Sequence, residues 1–137
     1  MPIGISGKQM AAPSVARIGQ AVGGGLFFFR LDVSGATTSW TVVKSLEFPV
    51  DVLGAIVMCT ATNANGTVVV TDGTNSITGT ITCDTADEVT GFGDIDGAGT
   101  VFTVDTTYSS LEKGATIGLT TANSAEGRVY VACVKRE

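Results

Sequence analysis

The amino-acid sequence predicts an all-β protein: an antiparallel β-sandwich, jelly-roll-like, of about eight strands, preceded by an extended N-terminal arm. Three observations predict it. From Leu26 onward, short runs rich in Val, Ile, Thr and Phe are separated by Gly, Pro, Asn and Asp, the punctuation of strands and turns. Inside those runs threonines and aliphatic residues alternate with the two-residue period of a pleated strand. Apolar residues make up 44% of the 137 residues and charged ones only 15%, which argues for a compact core and against a disordered tail or a coiled coil. The length suits one domain able to build that core without metals or disulfides.

Residues 1–25, MPIGISGKQMAAPSVARIGQAVGGG, differ from the rest. They are rich in Gly and Ala and broken by Pro2 and Pro13. Val15, Ile18 and Val22 fall at helical spacing, so one short helix capped by Ser14 is conceivable, ended by Gly23-Gly24-Gly25. The segment reads as an arm that orders only when something holds it. Residues 26–137 read as the sandwich domain.

Its strands follow in order. LFFFRLDV (26–33) is the first, with Phe27 and Phe29 on one face and Phe28 on the other. SWTVVKSLEF (39–48) is the second, stopped by Pro49, which has no amide hydrogen for a ladder. DVLGAIVMCTAT (51–62) is long enough for a helix, but its β-branched content and the NANG turn after it favour a strand, with Gly54 marking a bulge or close approach. GTVVVTD and SITGTITC form a hairpin through Asp72-Gly73. Alternation puts Val68 and Val70 on one face of it, and Thr67, Val69 and Thr71 on the other. After a loop holding Asp84, Asp87 and Glu88 come GTVFTVD (99–105), ATIGLTT (115–121) and RVYVACVK (128–135).

Charge is segregated. Before Asp32 there are bases but no acids, and between Lys44 and Lys113 there are ten acids' worth of negative positions, from Glu47 to Glu112, with no base among them. The chain carries −5 overall, and such an acidic body repels nucleic acid, whose binding depends on neutralising many phosphates. Leu26 to Phe29 is too short for a signal core or a membrane span, so synthesis in a cytoplasm is expected, with no membrane contact. Without a secretory signal the Asn65-Gly66-Thr67 sequon is inert.

The chain has no histidine, which removes Ser-His-Asp and Cys-His arrangements, histidine metal sites and the commonest general base. Cys59, Cys83 and Cys133 are widely spaced in apolar or threonine-rich runs and read as small buried hydrophobes, not as a zinc site. In GFGDIDGAG, Asp94 and Asp96 fill the first and third positions of a calcium loop. Ala98 stands where a third oxygen ligand belongs, and Asp105 replaces the final Glu. Asp84 and Asp87 could pair as glycosidase carboxylates, but read first as a solvated loop. No catalytic residue, metal or cofactor is expected, and the chain reads as a non-enzyme.

The segments DGTNSIT, CDTADEVT, YSSLEKGATIGL and GRVYVACV, spread over residues 47–135, resemble small structural proteins of tailed bacteriophages, of the head decoration or cement type. The resemblance implies a β-folded protein, often a homotrimer, bound to the major capsid protein on the capsid exterior of the virion. Under that reading Ile3, Ile5, Lys8, Val15, Arg17 and Ile18 of the arm contact the shell. Phe27, Phe28, Phe29 and Trp40 help to close the oligomer, because a strand with large apolar groups on both faces needs a second cover. The nearest rivals are another virion component, of tail, neck or baseplate, and a carbohydrate-binding β-sandwich module using Trp40 and Tyr108.

Overall fold

The computed structural model describes residues 25–91 and 104–136. The arm residues named above, the Asp94–Asp96 loop and most of the run 99–105 lie outside the described residues.

Among the described residues there are nine strands and no helix. They are β1 (Leu26–Val33), β2 (Ser39–Val43), β3 (Val50–Cys59), β4 (Thr67–Thr71), β5 (Ile81–Thr82), β6 (Val89–Gly91), β7 (Ser110–Leu111), β8 (Ile117–Ala122) and β9 (Gly127–Lys135). Sheet one has the order β1-β9-β3-β6, with β7 paired beside β6 on the free edge of β3. Sheet two has the order β2-β8-β4-β5. All pairings are antiparallel, and the two sheets stack as a β-sandwich. The chain changes sheet at most of its connections, so neighbours in space are seldom neighbours in sequence.

The core lies between the sheets and follows the alternation of the strands. Val129, Val131 and Cys133 of β9, and Val50, Val52 and Val57 of β3, face Val68 and Val70 of β4 and Ile117 and Leu119 of β8, all buried. Each such valine stabilises the fold by roughly 1.5–3 kcal/mol through the surface it removes from water. At one end Phe27 meets Phe29 and Phe48 edge-to-face, with ring centroids 5.3 and 5.8 Å apart, and Lys135 Nζ sits 4.8 Å from the Phe48 centroid.

The strands differ from the sequence expectation in four places. The second ends at Val43, not at Phe48. There the amide of Leu46 donates to Ala115 O and the amide of Gly114 donates to Leu46 O, so the chain leaves the ladder and sends Leu46 into the core. The run 76–83 is interrupted. Ile77 and Thr78 both donate their amides to Val70 O, and the Thr78 hydroxyl accepts the amide of Val70, replacing a ladder carbonyl. Regular pairing returns only at Ile81 and Thr82. The segments Val89–Gly91 and Ser110–Leu111, assigned to no strand from the sequence, both pair with β3.

Gly54 does mark a bulge. Ala132 pairs with Gly54 and Cys133 with Val52, which leaves Leu53 as the extra residue, and Gly54 takes φ +144°.

Candidate interaction surface

The two outer faces of the sandwich are chemically opposite. On sheet two, Thr67, Val69, Thr120, Ser39 and Thr41 alternate with the buried set and give a hydroxyl-rich wet face, whereas Thr71, expected on that face from the sequence, is buried and its hydroxyl accepts the amide of Gly73. Part of this face and the Asp72–Thr74 turn form a polar cleft of about 360 Å³. The turn is built by the Asp72 carboxylate, which accepts the amides of Thr74 (2.9 Å) and Asn75 (2.6 Å). Burial alone would push that carboxyl up, but these amide hydrogens hold it below its ordinary value.

Sheet one presents apolar groups where water would be. Registers place the outward residues in rows across it. Asp32, Arg128, Met58 and Val89 form one row; Arg30, Tyr130 and Ile56 form the next; Phe28, Ala132 and Gly54 follow; Leu26, Val134 and Asp51 close the face. Leu26, Phe28, Leu53 and Val89 are 56, 44, 43 and 61% exposed. The exposed apolar groups stand in the same rows as the charged Asp32, Arg128, Arg30 and Asp51, and Ala132 and Gly54 between them are buried.

Charges stand at the ends of this face and are already matched. Arg30 holds Asp32 at 3.0 and 3.1 Å, and that guanidinium lowers the Asp32 carboxyl, with Arg128 contributing. At the other end Arg136 donates from Nη2 to Glu112 Oε2 (2.9 Å) and to Leu111 O (2.8 Å). Its Nε lies 3.1 Å from Asp51 Oδ1, an ion pair in which the N–H is not aligned for a hydrogen bond. Ser110 also donates to Asp51, at 2.7 Å.

Of the residues expected to close an oligomer, the structure brings only Phe28 to the surface. Phe27 and Phe29 lie on the core side of β1. Trp40 packs on the core as well, donating its indole N–H to Thr121 Oγ1 (3.0 Å), whose own hydroxyl donates to Thr37 O (2.9 Å). Tyr108 is likewise packed against the core. Sequence reasoning missed Leu26, Leu53, Ile56, Met58 and Val89. The available signal was that LFFFRLDV, DVLGAIVM and RVYVACVK are apolar at both parities, unlike the threonine-bearing strands.

Cys59, Cys83 and Cys133 are buried and free. Burial pushes the Cys83 thiol up to about 12, with the neighbouring Cys59 thiol adding to the rise, and pushes Cys133 up to about 12 on its own. These are inert packing groups. Among the described residues no three of His, Cys, Asp and Glu converge as a metal site. Asp84 lies in a surface loop, bonded to the Thr85 hydroxyl and, through its carbonyl, to the Asn63 amide. Comparison of the chain with family models, with curated proteins and with solved structures returns no match.

Proposed function

We propose that this protein is a phage capsid decoration (cement) protein, which binds the major capsid protein on the outside of the shell and stabilises it, acting as a homotrimer. The observation that carries the reading is the apolar outer face of sheet one, set on a sandwich whose other face is hydroxyl-rich and wet. A chain whose work is to fit against neighbours needs such a face, whereas a turnover enzyme needs convergent polar groups in a cleft. The strand orders β1-β9-β3-β6 and β2-β8-β4-β5 support reading the sandwich as a jelly roll, an architecture common in viral shell proteins. The phage-like segments quoted above lie in the same β-body. Residues 1–25 supply the shell contact in this proposal, and because shell sites recur many times, modest affinity per arm is multiplied by trimerisation.

A second reading, a carbohydrate-binding module, is favoured by the hydroxyl-lined cleft beside Asp72. The packing of Trp40 and Tyr108 onto the core weakens it, since neither ring is left as an open stacking platform.

Sedimentation with assembled, undecorated heads tests the proposal. The intact chain is expected to pellet with heads and to saturate near the number of shell three-fold sites. Deleting residues 2–25 should abolish pelleting while far-UV circular dichroism stays that of a sheet protein. An intact chain that remains in the supernatant at all concentrations contradicts the proposal.

A further inference from the structure

We infer that, in the free protein, residues 15–22 of this chain cover the seam between β1 and β2 and close the core there. The inference goes beyond the proposed function and does not depend on a shell.

An asymmetry in how the core is closed carries it. Among the described residues β1 and β2 are the outermost strands of their sheets, and they lie across from each other on one side of the sandwich. Their inward side chains, Phe27, Phe29 and Leu31 of β1 with Val42 and Val43 of β2, pack on the core yet stay only half-buried, as does Phe48. On the opposite side Ile81, Cys83 and Leu111 are buried, and the Thr90 hydroxyl of β6 donates to Thr82 O of β5 across the gap between the sheets. That seam is sealed; this one is open. Toward the start of β1 it widens into an apolar cavity of about 310 Å³, lined by Phe29, Val43, Leu46 and Phe48 with Ser45 and Glu47. Core-facing rings left at the water boundary are stabilised by any apolar cover.

The occupant is argued from where the chain enters. It reaches β1 at Gly25, whose φ of +63° turns the backbone off the line of the strand. Phe27, just beyond, meets Phe48 of the cavity wall with ring centroids 5.8 Å apart, so the chain arrives beside the opening. Val22 can lie no farther than about 11 Å from Gly25, and eight extended residues span about 26 Å, the length of β1. The segment 15–22 brings Val15, Ile18 and Val22 with small alanines and a single charge, Arg17. Tethered through Gly23-Gly24, it sits at an effective concentration of about 1 mM, so a weak contact suffices. A second copy is the poorer occupant, because the exposed Arg30–Asp32 pair on β1 is the kind of charge that keeps foreign strands off an edge.

Hydroxyl-radical footprinting at Phe29 and Phe48, normalised to Val69 on the hydroxyl face, tests this without heads present. The intact chain is compared with a deletion of residues 2–22 and with the full-length double variant Ile18→Asp, Val22→Asp. All these changes precede the β-body, and far-UV circular dichroism checks that the sheet is kept. Both variants should raise oxidation at Phe29 and Phe48 by about 3-fold or more, as when a state closed in most molecules is removed. A synthetic peptide of residues 1–24, added to the deleted chain at about 1 mM, should restore protection.

Equal labelling of the two rings in the intact chain and in either folded variant overturns the inference. So does protection of the intact chain that fades on dilution, since a second copy would then be the cover. A chain that protects its own seam yet never pellets with heads sinks the proposed function and leaves this inference standing; an open seam in a chain that pellets does the reverse.

Discussion

At the residue scale the hairpin turn shows how one side chain organises backbone. Asp72 accepts the amides of Thr74 and Asn75, and its own amide donates to Asn75 O at 2.9 Å. Replacing Asp72 with Ala should cost about 1 kcal/mol at neutral pH, the usual worth of a carboxylate satisfying turn amides. The sign of the pH dependence follows from the direction of the shift. The folded carboxyl sits below the ordinary 3.8, so its contribution is complete above that value and is lost as pH falls through the lower, folded one. Urea unfolding of both forms from pH 7 to pH 2 checks this. The difference between parent and Asp72→Ala should shrink only in the most acid part of that range.

At the element scale the short strands depend on their neighbours rather than on their own composition. Gly91 of β6 has φ +122°, and a Cβ there would strike the carbonyl of Ala55 on β3. Gly91→Ala should therefore lower stability by roughly 2 kcal/mol or more, with lost hydrogen-exchange protection centred on Val89–Gly91 and the facing part of β3. Thr90 adds a cross-sheet link, its hydroxyl donating to Thr82 O, that the same change would loosen.

These dependences explain what was legible beforehand. Longer runs of β-branched and aromatic residues bounded by turn residues, such as Leu26–Val33 and Gly127–Lys135, are legible as strands by composition and length. Val89–Gly91 and Ser110–Leu111 are too short for any period, and exist because β3 offers an edge. The hairpin was legible through Asp72-Gly73, but the Thr78 hydroxyl standing in for a ladder carbonyl was not, since a threonine in a strand run carries no mark of that role. Leu46 leaving its strand for the core is a tertiary demand of the same kind.

At the scale of the whole molecule the candidate site emerges only when strands distant in sequence lie side by side. Phe28 was visible as a large group on the wrong parity of its strand. Met58, Ile56 and Val89 join it only through the β1-β9-β3-β6 order, which brings residues 26–33, 127–135, 50–59 and 89–91 into one face. Part of the hydroxyl face formed by sheet two was readable earlier, because Thr67 and Val69 alternate with Val68 and Val70, whereas the burial of Thr71 and Thr121 was not. In the proposed function this molecule works through the apolar face and not through its polar cleft.

Hydroxyl-radical footprinting of the intact chain tests that claim most directly, read at Phe28, Met58 and Tyr130 in the assembled state and again after dilution. The account predicts oxidation at these three side chains suppressed several-fold on assembly, with Val69 on the opposite face unchanged. Equal labelling of both faces in every state, or protection confined to the hydroxyl face, would contradict it.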